Sequence, residues 1–173
     1  MKNLYLLIFL FLTACATTQE ATDSREINQD EGILVVGLDT NWEGHKNPFL
    51  ASLELLYNGT DNSSLNYRSM SFKGNDYILV TKLPAQEYFF YRIRFGNRFA
   101  DLNKGATFNI KSGEITYIGE IHMDLSLALF SAAASLKVND NWDSTLEYLH
   151  KKYPLLLSNR PITRSIINME LAH

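Results

Sequence analysis

From Gly32 onward the chain reads as short apolar stretches broken by turn residues. Ile33 to Leu38 is a continuous apolar run with three β-branched residues, the pattern of a buried strand. Phe49, Ala51, Leu53, Leu55 and Tyr57 alternate with a mixed set, so a period of two predicts a half-buried strand. Asn58 to Asn66 is a polar, turn-rich loop. Tyr67–Lys73 and Tyr77–Leu83 read as short strands joined by a hairpin turn at Gly74-Asn75-Asp76. In the next strand Phe89, Tyr91, Ile93 and Phe95 form one face, and Tyr88, Phe90, Arg92 and Arg94 the other; Gly96-Asn97 ends it. Phe108 and Ile110 mark a brief strand before the turn Lys111 to Glu114. Ile115, Tyr117, Gly119, Ile121 and Met123 then alternate with Thr116, Ile118, Glu120, His122 and Asp124. In 128–138, Leu136-Lys137-Val138 reads as strand, whereas Ser131 to Ala134 fits a helix or a bulge equally well.

This pattern predicts a mainly β fold: an antiparallel β-sandwich of seven to eight strands with one C-terminal α-helix. In the helix Trp142, Leu146, Leu149 and Tyr153 fall on one apolar face. Asp140 or Ser144 is expected to cap it, Ser144-x-x-Glu147 has capping-box form, and Pro154 stops it. The apolar face is expected to pack on the edge or end of the sandwich. The tail from Leu155 to His173 is apolar enough to dock, but its pattern does not place it.

Ahead of this body the pattern is different. Met1-Lys2-Asn3 precedes a run from Leu4 to Leu12 whose only polar group is the Tyr5 hydroxyl. A charged start and a short apolar run form a signal-peptide pattern. As a helix the run would be about 14 Å long. That is under half of the ~30 Å hydrocarbon core of a bilayer, so no permanent span is expected. Its end, Leu12-Thr13-Ala14-Cys15, resembles the bacterial lipoprotein signal, in which small residues precede a cysteine. The resemblance implies that residues 1–14 are cleaved and that Cys15 receives a diacylglycerol on its thiol and a fatty acid such as palmitate on its new amine. The membrane is then a partner through the N-terminal lipid. Ala16 after the cysteine resembles the class exported to the outer membrane, facing the periplasm. Cys15 is the only cysteine, which excludes an internal disulfide.

Residues 15–31 are the lipidated cysteine and a tether. Ala16 to Glu31 holds no aromatic residue and carries Glu20, Asp23, Glu26, Asp30 and Glu31 against Arg25. Such a stretch cannot bury enough apolar surface to offset its chain entropy and is expected to be flexible. The sandwich domain with its helix spans 32–173.

Two segments of the body together resemble small bacterial lipoproteins with a prealbumin-like, or carboxypeptidase-regulatory-like, β-sandwich. Leu83-Pro84-Ala85-Gln86-Glu87-Tyr88 is similar to the leucine–proline–glycine–x–tyrosine turn of those domains, with Gln86 where a glycine is usual. Phe108 to Gly119 looks like their phenylalanine strand, glycine turn and tyrosine–isoleucine–glycine strand. The resemblance covers residues 32–154. It implies a cell-envelope location and a binding or structural role, in a family whose function is mostly unassigned.

Composition then narrows the chemistry. The chain of 173 residues has 16 basic and 19 acidic side chains. That near balance argues against a nucleic-acid partner, which requires a strong basic excess. Residues 32–173 hold equal numbers of each sign, so the excess acid belongs to the tether. Aromatic residues at 12% and charged residues at 20% suit a packed domain rather than a disordered chain. No Gly-x-Ser-x-Gly, no HExxH and no glycine-rich phosphate loop occurs, so no catalytic residue, metal ligand or cofactor is assigned. The candidate binding patch is Arg92, Arg94 and Arg98 with Tyr88 beside them, together with Trp42 in the loop after the first strand. An envelope protein or a glycan is the partner such a patch would take. Two readings remain open. One is a non-enzymatic binding or structural module of the envelope. The other is an envelope hydrolase or metal-dependent enzyme, with His45, His122 and His150 converging from distant parts of the chain.

Overall fold

The computed structural model of the chain describes residues 26–42, 53–60, 68–72, 78–95, 98–102, 106–127, 132–158 and 160–171. The leader, Cys15, the tether as far as residue 25, and the turn expected at 74–76 lie outside them. So do His45, His173 and the side chains of Trp42 and Arg98.

The described residues are mainly β, in two open sheets whose pairings are mostly antiparallel, with a helical segment near the C-terminal end. In the first sheet β1 (Glu31–Trp42) lies between β4 (Ile78–Pro84) and β8 (Ile115–Leu127). With the Glu31 end of β1 taken as the lower end, β10 (Ile162–Arg164) borders the lower part of β8 and β9 (Ala132–Asn139) the upper part. In the second sheet β2 (Leu53–Gly59) lies between β3 (Arg68–Phe72) and β5 (Glu87–Phe95). The other side of β5 carries β6 (Arg98–Asp101) and β7 (Thr107–Asn109).

Three expectations change. β1 and β8 pair in parallel, as do β10 and β8, so the arrangement is not wholly antiparallel. Alternation shows which residues share a face and says nothing about strand direction. β3 pairs with β2 and β4 with β1, so these neighbours in sequence belong to different sheets and form no hairpin. The described residues hold ten strands rather than seven or eight, because the short β6 and β10 carry too few residues to show a period.

Why Ile33 to Leu38 is apolar without a break is explained by two cores. Leu34, Val36 and Leu38 join a cluster that also takes Leu55, Phe90 and Ile121 from both sheets. Ile33 and Val35 point the other way, where Val80, Ile115 and Tyr117 meet Leu149, Tyr153 and Leu156. The last three belong to α1 (Trp142–Lys152), to the residue after it and to α2 (Pro154–Leu157). The helical segment therefore covers the outer face of the first sheet rather than its edge or end. A strand covered on both sides must be apolar at every position.

The helix start also differs from expectation. Asn141 is the N-cap, and its side chain makes no capping bond. It serves as a junction instead: its N–H donates to the Tyr117 hydroxyl (3.0 Å) and its side-chain amide to Glu120 (3.0 Å). Thr145 returns its hydroxyl to the Asn141 carbonyl (2.9 Å). The tail docks at several points. β10 adds to the sheet, Ile167 and Met169 enter the shared core, and Leu171 bridges to Leu102. At the other end the last residues read as tether, Glu26 to Glu31, lie against the body. Ala85 N–H donates to the Asp30 carbonyl (2.7 Å), Gly113 N–H to Glu31 (2.9 Å) and Lys82 to Glu26 (2.8 Å). Ile27 packs on the second core. Backbone carbonyls, which composition does not reveal, hold this stretch.

Strict alternation fails in β5 and β8 for one reason. Leu56 faces Arg92 while Tyr57 faces Phe90, so Tyr91 is an extra residue; Val35 faces Tyr117 while Gly37 faces Glu120, again one residue too many. Each bulge flips the phase of the strand beyond it. Tyr88, Phe90 and Ile93 are all buried, as are Tyr117, Ile118 and Ile121. The bulge in β8 contains Gly119 at φ +107, where a Cβ would stand 2.4 Å from Val138 Cγ1. Gly113, at φ +75 in the preceding turn, has open space around it. Gly113→Ala therefore meets only the conformational cost of a left-handed residue, about 1–2 kcal/mol. Gly119→Ala adds a steric clash and is expected to lose more, measured as the shift in urea midpoint at constant m-value.

Candidate functional site

The outer face of the second sheet is built from two rows across four strands. Backbone register sets Ser71, Glu54, Arg94 and Phe99 side by side, and next to them Ser69, Leu56, Arg92 and Asp101. The bulge at Tyr91 turns both arginines to this face. Each guanidinium meets the acid directly opposite. Arg92 Nε lies 2.5 Å from Asp101 Oδ1, and Arg94 pairs with Glu54. Arg92 also lies 5.3 Å from the centre of the Phe99 ring, which is 53% exposed. Phe89 and Tyr91 form a further ring pair, 6.4 Å apart.

The sequence pattern grouped Tyr88 with these arginines, and the structure separates them. Tyr88 is fully buried, stacks on Phe108 at 5.5 Å, and donates its hydroxyl to the Pro84 carbonyl (2.9 Å) across the turn from β4 to β5. Because it precedes the bulge, its side chain lies on the opposite face from Arg92 and Arg94. The side chains of Arg98 and Trp42 fall outside the described residues. The patch that remains is net neutral, with donors and acceptors fixed in cross-strand pairs. It suits hydrogen bonding to a polar, uncharged partner better than capture of an anion.

A second polar group lies on the outer face of the first sheet, above the helical cover. His122 stands between two carboxylates, with Nδ1 2.8 Å from Asp39 Oδ2 and Nε2 3.4 Å from Asp124 Oδ2. The hydrogen bond to Asp39 is the largest influence on its pKa and raises it above the ordinary histidine value, while partial burial works in the opposite direction. Ser135 donates to Asp124 (3.2 Å). His150 is exposed on α1, a different element. Among the described residues no group of three or more His, Cys, Asp or Glu side chains could hold a metal ion. Sequence reasoning missed Asp39 and Asp124. Their proximity to His122 comes from the parallel pairing of β1 with β8, for which a single sequence offers no signal.

No protein-family model matches this chain, and no curated protein matches it at a significant level.

The two arginine pairs differ in setting. Glu54 is only 16% exposed, whereas Asp101 is 60% exposed. Exposed pairs contribute about 0.2–1 kcal/mol. A double-mutant cycle with Arg94→Ala and Glu54→Ala is expected to give a coupling in the upper part of that range, larger than the coupling between Arg92 and Asp101. Urea unfolding of the four variants in each cycle reads the difference.

Proposed function

We propose that this chain is a lipid-anchored protein of the bacterial cell envelope, a β-sandwich of the prealbumin-like kind working as a non-enzymatic binding or structural module. Cys15 carries the lipid, the outer membrane is its site, and the domain faces the periplasm. Support for the anchor comes from the charged start, the short apolar run, and Thr13-Ala14 before the single cysteine. Among the described residues no helix is long and apolar enough to cross a membrane. Support for the sandwich comes from the core that draws side chains from both sheets.

The observation that carries the binding role is the outer face of the second sheet. Arg92 and Arg94 are held in place by Asp101 and Glu54 beside the exposed Phe99. Side chains fixed by neighbours lose less entropy on binding than free ones. The aromatic surface and paired charges suit an envelope protein or a glycan.

Two measurements test this reading. Cys15→Ala is expected to move the protein from the membrane to the soluble fraction and to abolish incorporation of labelled palmitate. Retention in the membrane would contradict the lipid anchor. A photo-crosslinking amino acid at position 99 is expected to give a discrete adduct in cells, and Arg94→Glu to reduce it. No adduct at position 99 would contradict the binding role of this face.

A further inference from the structure

We infer that His122 is a pH-sensing clasp across the two parallel central strands: protonated, it holds the upper half of the first sheet together, and neutral, it loosens that half.

Protonation changes the number of N–H donors on an imidazole. The neutral ring carries one N–H, and the imidazolium carries two. Both nitrogens of His122 face carboxylate oxygens, Asp39 Oδ2 at 2.8 Å and Asp124 Oδ2 at 3.4 Å. In the neutral ring one nitrogen would turn a lone pair toward an anionic oxygen. The imidazolium donates toward both. Asp39 lies on β1, and His122 and Asp124 on β8, so the protonated ring ties one strand to the other at the row Asp39↔His122.

The surrounding charges favour the same state. β1 supplies Asp39, and β8 supplies Glu120 and Asp124. β9 supplies Lys137, opposite His122, and Ser135, opposite Asp124. Glu120 is occupied by the Asn141 amide at 3.0 Å, and Ser135 donates to Asp124 at 3.2 Å. β4 presents Ile78 at its last row with β1. Three carboxylates and one ammonium thus face the ring among the described residues. Hydrogen bonding to Asp39 raises the His122 pKa, in agreement with this geometry.

Position makes the clasp matter. The lower rows of β1 and β8 are covered on both faces, by the shared core and by Leu149, Tyr153 and Leu156. The rows from Asp39↔His122 to Trp42↔Leu125 lie above the helical cover. A folded-state pKa raised above the open-state value means that the clasp's stabilisation is complete below the ordinary histidine pKa of about 6.5. It is lost as pH rises through the folded-state value. Each pH unit between the two values limits the change in the local opening equilibrium to about tenfold.

NMR on the isotopically labelled full chain tests this directly. The His122 ring is expected to titrate above the ordinary histidine pKa of about 6.5. Amide protection factors, corrected for intrinsic exchange, are expected to fall at rows 39–42 and 122–125 as pH rises through that titration. Protection at rows 33–35 and 115–117 should stay constant, which also confirms that the fold is intact. Asp39→Asn should lower the His122 pKa, and His122→Gln should fix the upper rows at their high-pH protection. A His122 pKa at or below about 6.5 would overturn the clasp. So would upper-row protection that does not change through the titration.

Discussion

Burial of the lower rows of β1 and β8 on both faces is the constraint on which the rest of the structure depends. Leu34 and Val36 need the second sheet, and Ile33 and Val35 need a cover on the other side. Each fully buried aliphatic side chain contributes about 1.5–3 kcal/mol relative to exposure. Neither layer could be left off. The C-terminal segment is therefore part of the core rather than an appendage, and Asn141, bonded to Tyr117 and Glu120, sets where it begins. The same demand explains why the tail returns as β10 and sends Ile167 and Met169 into the shared cluster.

The helical cover is shorter than the sheet beneath it. Beneath the cover the outer face of the first sheet presents Ile33, Val35, Val80, Ile115 and Tyr117. Above the cover the same face carries Asp39, Glu120, His122, Asp124 and Lys137. The second sheet has polar and aromatic side chains on its outer face, organised as opposed pairs by backbone register. The chemically distinctive surfaces of this molecule are therefore sheet faces, one electrically balanced and one centred on a titrating ring.

Legibility in the sequence depended on period and length. The strand Leu53–Gly59 was readable because Leu53, Leu55 and Tyr57 alternate without interruption and are all buried. The helix was readable from its apolar spacing, although its cap was not, since the Asn141 side chain bonds to Glu120 of β8 instead of capping its own helix. In β5 and β8 a single extra residue reversed the phase, and this moved Tyr88 away from the arginines it had been grouped with. Arg92 and Arg94 were legible as a shared face, but their partners Asp101 and Glu54 were not. Glu54 is separated from Arg94 by 40 positions, and Asp101 lies on a strand of four residues. Asp39 and His122, 83 positions apart, meet only because β1 and β8 run in parallel.

The parallel β1–β8 pair with a bulge at Gly119 is the central claim, and inter-strand NOEs measure it most directly. The account predicts backbone contacts between Leu34 and Thr116 and, above the bulge, between Leu38 and Ile121, with the offset between partners growing by one residue. Contacts whose partner numbers fall along β8 as they rise along β1 would contradict it. They would show an antiparallel pair, and the cluster at His122 would have no basis.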